Sequence, residues 1–188
     1  METRPSASAI VRQPGEGARR WFFGGGVHTW KATSEETAGA FLLFEDEMAL
    51  NKVTPLHTHP ESDETLYVLT GEILFSMDGT EHRLAAGGVA VAPRGVPHAF
   101  KVLQEGTRIL CLQTPGIAQA FYDGASEPVG AAPDAGVGGP DGGGRQVDFG
   151  RIRESGRLNG GIEIIGPPPF PDEPHSSPSW GTLPVVGT

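Results

Sequence analysis

Cysteine is almost absent from this chain: Cys111, inside "RILCLQ", is the single one among 188 residues. A lone cysteine closes no internal disulfide, so stability has to come from packing. Cys111 itself reads as a small buried hydrophobe rather than a reactive thiol. Long apolar runs are missing too. None reaches the length of a membrane span, and the opening stretch "METRPSASAIVRQPGEGARR" has no apolar run of signal-peptide length. The expectation is a soluble cytoplasmic protein with no membrane partner. Basic residues are few: 14 Lys and Arg against 23 Asp and Glu give a formal charge of −9. That balance opposes a phosphate-binding surface, so no nucleic-acid partner is expected. Apolar residues make up 37%, below the usual ~45–50%, while Gly (28) and Pro (17) are plentiful. Sustained helical periodicity is lacking from about Arg20 to Tyr122, so no long helix is placed there.

Strands and turns are what the chain does contain. Short apolar or alternating runs recur: "RRWFF", "VHTWKA", "AFLLFED", "TLYVLT", "EILFSM", "EHRLA", "GVAVAP", "HAFKVL" and "TRILCLQT". Gly-rich turns separate them, a spacing that reads as an all-β sandwich or barrel. "EILFSMDGTEHRLA" has the form of a hairpin with Asp78-Gly79 at its tip. The expected organisation is an extended lead-in over 1–18 and a β-domain over 19–123. A flexible Gly/Pro/Ala linker is expected over 124–145, then a short helix and a Pro-rich tail over 146–188. Asp148 is the expected N-cap of that helix, with Phe149, Ile152 and Leu158 at rough helical spacing.

One stretch concentrates the chemistry, "PLHTHPESDETLYVLTGE". His57 and His59 sit two apart and so face the same side of a strand. Glu64 begins the next strand beyond the turn "PESD", which can fold it back beside the two rings. His98 starts another strand after a turn made by Pro93, Gly95 and Pro97. Three imidazoles and a carboxylate make a mixed N/O site that suits Mn, Fe, Co, Ni, Cu or Zn, with positions left open for a small-molecule substrate or O2. His28, His82 and His175 lack partner spacing and are read as structural. Asp63 is expected to point outward, and Arg94 to sit at the surface of the turn at the barrel mouth.

These two stretches resemble the paired motifs of the cupins. The first motif is matched through His57, His59, Glu64 and Gly71, the second through Gly87, Pro93, Gly95 and His98. Asn51 stands where the first motif usually opens with Gly, a substitution that Asn's tolerance of left-handed backbone angles accommodates. Val102 stands where the second often ends in Asn. More loosely, about residues 10–170 resemble single-domain bacterial cupins of the quercetin 2,3-dioxygenase-like kind. The resemblance implies a jelly-roll barrel, or double-stranded β-helix, with a divalent metal held by His57, His59, Glu64 and His98. It also implies a homodimer.

Function follows as a set of expectations. The first is a metal-dependent dioxygenase acting on a flavonol-like or other enolizable aromatic molecule, with Glu64 as ligand and general base. A non-oxidative isomerase, cyclase or lyase and a non-catalytic small-molecule-binding module are the alternatives. Phe41, Leu43, Leu66, Val68, Phe75, Met77, Phe100, Leu110 and Leu112 are barrel filling taken singly, and together they imply an apolar pocket. No Lys or Arg is placed inward near the ligands.

Overall fold

The computed structural model describes residues 9–22, 25–130 and 161–170. Alternating burial is the rule that builds it. In β3 (Leu42–Met48) Leu42, Phe44, Asp46 and Met48 turn inward. In β5 (Asp63–Thr70) Glu64, Leu66 and Val68 do so, and in β10 (Thr107–Thr114) Thr107, Ile109, Cys111 and Gln113. A period of two with one apolar face is what a half-buried antiparallel strand requires.

The remaining elements are β1 (Arg19–Phe22), β2 (Gly26–Ala32), β4 (Leu56–Thr58), β6 (Glu72–Met77), β7 (Thr80–Ala85), β8 (Val89–Ala92), β9 (His98–Val102), α1 (Gln119–Gly124), β11 (Ser126–Pro128) and β12 (Glu163–Gly166). They form a seven-stranded sheet ordered β11-β1-β2-β3-β10-β5-β8 and a five-stranded sheet ordered β12-β4-β9-β6-β7. Every named strand pairing is antiparallel. The two inner faces meet in one core, where Phe44, Leu66, Val68 and Ile109 of the larger sheet pack with Ile73, Phe75, Phe100 and Val102 of the smaller. This is the jelly-roll arrangement expected from the sequence. No described helix is long and apolar enough to cross a membrane.

The expected hairpin is present. β6 and β7 pair with Met77 opposite Thr80, and Asp78 and Gly79 both have positive φ, 51° and 75°. That is the pair of angles a tight two-residue hairpin demands. Two segments behave differently from expectation. Residues 126–128, inside the expected linker, form β11 on β1 because Arg20 reaches across to the Ser126 side chain and carbonyl. Residues 163–166, inside the expected tail, form β12 on β4. The helix expected after Asp148 lies outside the described residues. Among the described residues the short helix is α1, which tucks Phe121 and Tyr122 into the core.

Two glycines with left-handed backbones separate cleanly in what a side chain would meet. At Gly71 (φ +78) an added Cβ would stand 2.2 Å from Thr107 Oγ1 and 2.8 Å from its Cα. At Gly79 (φ +75) it would meet nothing within 4 Å. Gly79→Ala should therefore cost only the left-handed strain of ~1–2 kcal/mol. Gly71→Ala should cost clearly more, because backbone must move as well. Urea unfolding midpoints of the two variants are the check, and equal midpoints would contradict this account.

Candidate metal centre

Local geometry explains why four residues converge. β4 carries His57, whose Cα partner across the pair with β9 is His98. The turn at 60–62 then hands the chain to the other sheet, where Glu64 is the second residue of β5, flanked by Gln113 of β10 and Ala92 of β8. Two contacts lock the loops that deliver these residues. The Gly95 N–H donates to the His59 carbonyl at 2.9 Å. Arg94 donates through its backbone N–H and its guanidinium to Asp63, at 2.9 Å on each carboxylate oxygen. Asp63 does face outward, and Arg94 holds its carboxyl down at about 2 through that hydrogen-bonded pairing.

His57, His59, Glu64 and His98 are all buried, and one ligand atom from each lies within 4.8 Å of the others. Ligands sharing one ion at ~2.0–2.2 Å would stand roughly 3–4 Å apart, so the cluster is close to the required contraction. The His57 and His98 Nδ1 atoms each sit 2.9 Å from a backbone carbonyl, of Pro55 and Val96 respectively. That contact places a proton on Nδ1 and turns Nε2 toward the cluster, the usual outer-shell arrangement for a ligating imidazole. Both His59 ring nitrogens are buried without a hydrogen-bond partner. A buried polar atom left unpaired needs an explanation, and a metal ion supplies one. The donor set therefore fits a divalent transition metal.

Electrostatics point the same way. Burial raises the Glu64 carboxyl, but the His59 and His98 rings outweigh it and hold the group well below the usual carboxylate range. Burial, then repulsion from His98 and His59, pushes His57 down to about 3, so its ring is neutral. His98 also loses solvent, yet its 2.9 Å contact with Glu64 Oε2 raises it above its ordinary value. Acceptors at both nitrogens favour the protonated ring, and a metal ion would compete with the Nε2 proton.

The other Glu64 oxygen is held by a network that sequence reasoning missed. Gln113 Nε2 donates to Oε1 at 3.0 Å, Tyr122 O–H at 3.4 Å and Cys111 S–H at 3.3 Å. Gln113 also donates to the Tyr122 hydroxyl at 2.7 Å. Burial and the Glu64 charge push both Tyr122 and Cys111 well up, so both remain protonated donors. Cys111 is the buried thiol expected.

His57 and Glu64 line a cavity that is partly open to solvent. Leu66 and Phe100 line it, with Phe22, Phe44, Ile109, Phe121, Tyr122, Ile162 and Ile164. Of the other residues expected at a pocket, Val68 and Phe75 are buried in the core and Met77 packs against it. Phe41, Leu43, Leu110 and Leu112 are only half-buried. The cause for β3 and β10 is parity: the inward set is shifted by one residue from the one expected, which exchanges every side chain for its neighbour on the other face. Lys52 corrects a second expectation. It lines the cavity with 3% exposure, its Nζ 3.0 Å from Asp46 Oδ2. His28 also lines it and is not one of the clustered ligand candidates. Asn51, with φ 64°, adopts the left-handed turn expected of it and reverses the chain just before Lys52. His82 lies on exposed β7, and His175 is outside the described residues.

Residues 44–112 match the family model described as the Cupin domain. The segment matched by that model carries all four clustered residues, His57, His59, Glu64 and His98. Over 114 residues it is 29% identical to quercetin 2,3-dioxygenase of Bacillus subtilis (strain 168), an alignment that covers 61% of this chain and 34% of that protein. The chain thus spans about a third of the length of that curated relative. In fold it is similar to an RmlC-like cupin from Shewanella frigidimarina, at 18% identity and TM-score 0.51, covering 57% of this chain and 92% of that one. A predicted oxalate decarboxylase from Thermotoga maritima is similar at 20% identity and TM-score 0.51, covering 57% and 99%.

Metal loading should be measurable without any substrate. Adding Mn, Fe, Co, Ni, Cu or Zn to chelator-stripped protein should raise the thermal midpoint for at least one ion. His98→Ala should abolish that response while leaving the protein folded. Affinity should fall as pH drops through the range in which His98, held above its ordinary value, takes up its second proton. A pH-independent affinity would contradict the proton displacement.

Proposed function

We propose that this chain is a metal-dependent dioxygenase acting on an enolizable aromatic small molecule of the flavonol type. The observation that carries the reading is that two of the four clustered residues, His57 and Glu64, line an aromatic-walled cavity. Similarity to quercetin 2,3-dioxygenase supports the reaction class. A divalent transition metal held by His57, His59, Glu64 and His98 supplies Lewis-acid polarisation of the substrate hydroxyl and the redox capacity that O2 chemistry needs.

The chain's own residues do the rest. Phe22, Phe44, Phe100 and Phe121 offer flat apolar surface for aromatic rings and exclude water from the reacting face. Glu64 Oε1 is occupied by Gln113, Tyr122 and Cys111. Oε2 is held only by the His98 and His59 rings, so it becomes the available basic atom once those rings turn their nitrogens to a metal, and it lies where a substrate hydroxyl at the cluster would be found. Glu64 is therefore the general base, taking that proton at Oε2. Gln113 and Tyr122 are positioning residues that fix its rotamer.

Oxygen uptake with a flavonol panel, after metal analysis of the purified protein, is the test. Uptake with at least one flavonol is expected. Glu64→Gln should lower turnover by ~10²–10⁴-fold, with metal content measured in parallel. Retained turnover would refute the base. Anaerobic turnover would replace the dioxygenase with a non-oxidative lyase or isomerase.

The same reading includes a homodimer. Tyr67, Val89 and Val91 are exposed apolar residues on the outer face of neighbouring strands β5 and β8, where Tyr67 pairs with Val89. A second copy packing there would cover them and the β8 edge. Light scattering behind size exclusion should give twice the chain mass, and Val91→Lys should halve it. A wild-type monomer at tens of micromolar would remove the proposal.

A further inference from the structure

The cavity has a second polar group of residues that the metal chemistry does not use. His28 of β2, Asp46 of β3 and Lys52 of the β3–β4 connection all line it, and all three are buried. Asp46 Oδ2 accepts from Lys52 Nζ at 3.0 Å and stands 3.2 Å from His28 Nε2. His28 is sandwiched between aromatic rings, 4.1 Å from the Phe22 centroid and 4.7 Å from that of Phe44. Lys52 Nζ lies 5.2 Å from the Phe22 ring. Gly26 makes room for the pair, since a Cβ there would stand 2.9 Å from Lys52 Nζ and 3.1 Å from Asp46 Oδ1.

This cluster is only half satisfied. Asp46 Oδ1 and His28 Nδ1 are buried with no hydrogen-bond partner. Lys52 donates to Asp46 through one of its three N–H groups. Burying a charge pair in a core and then leaving its remaining capacity unused is costly, and no packing need requires it. The spare atoms define a ligand group. Burial keeps His28 neutral, and its Nε2–H donates to Asp46, so Nδ1 is a free acceptor. Asp46 Oδ1 is a second acceptor, and Lys52 provides the donors. A hydroxyl, which donates one proton and accepts one, complements this set. A carboxylate would meet Asp46, and an ether has nothing to donate.

The cluster is also placed away from the metal centre. Across β10, Asp46 is opposite Ile109 and Glu64 is opposite Gln113, four residues further on. Tyr122 stands between the two groups: its ring is 5.5 Å from that of His28, and its hydroxyl is 3.4 Å from Glu64 Oε1. A flat molecule lying along the aromatic wall of the cavity can touch both groups.

We infer that Lys52, Asp46 and His28 form a recognition site for a hydroxyl on the far end of a multi-ring aromatic ligand whose other end lies at the His57/Glu64 side. The inference rests on the aromatic-substrate reading above and narrows its substrate class to polyhydroxylated rings.

Binding by the full-length, metal-loaded protein is measured under argon through quenching of tryptophan fluorescence. The probes are 3-hydroxyflavone, its 7-hydroxy and 4′-hydroxy derivatives, and the matching methyl ethers. At least one hydroxylated probe should bind about tenfold or more tighter than both its methyl ether and the parent. In Lys52→Met, and in the charge-balanced double variant Lys52→Met with Asp46→Asn, that preference should collapse to within about threefold, while the parent binds as before. Should the variants fail to fold, the wild-type comparison decides alone. Equal binding of hydroxyl, ether and parent would overturn the inference and leave the aromatic-substrate reading intact. A preference unchanged in the double variant would overturn it in the same way. Binding of none of the probes would overturn both.

Discussion

A carboxylate buried between two β-sheets is the constraint around which this protein is arranged. Glu64 has under a tenth of its surface exposed, and it ionises only because both of its oxygens are answered. Oε2 faces the imidazoles of His59 and His98; Oε1 faces an amide, a phenol and a thiol from β10 and α1. An isolated carboxylate at that depth would be protonated or would pull water in. The histidines, Gln113 and Tyr122 thus define one electrostatic unit, and the sheets are held in register with it. β4 pairs with β9 so that His57 meets His98, and β10 pairs with β5 so that Gln113 meets Glu64.

Much of this was legible in the residues before any coordinates. Alternating apolar residues marked the strands, Asp78-Gly79 marked the hairpin, and the spacing of His57, His59 and Glu64 put three polar groups on one face of a turn. These features are local, governed by a few neighbouring residues. The thiol and amide partners on β10 were not legible, because nothing in "RILCLQT" says which of its alternating residues face inward. Cys111 and Gln113 look no more interior than Leu110 and Leu112 until the register with β5 is known. The same ambiguity misplaced Phe41 and Leu43 in β3. A single inward polar residue would have settled it: Asp46, which has no reason to be buried unless Phe44 and Leu42 are buried with it.

Lys52 shows a different kind of illegibility. Lysine in a turn next to Asn reads as surface, and propensity offers no warning. Its inward course depends on the left-handed angle of Asn51 and on hydrogen bonds that pin the turn to β9, where Val102 N–H donates to the Lys52 carbonyl and Thr54 N–H to that of Phe100. Tertiary pairing, rather than composition, put a cation in the cavity wall.

The pairing of β12 with β4 has a consequence of its own. Ile164 stands opposite His57 on the side of β4 away from His98, and Ile162 and Ile164 complete the cavity wall. Reactive groups and cavity shape therefore reside on stretches of chain that are far apart in sequence. A change at Ile162 or Ile164 reshapes the space in front of the histidines and touches none of their donors. Chemistry and selectivity are separable in this architecture, so new specificities are accessible by altering a short strand that contributes nothing to the metal-binding motifs.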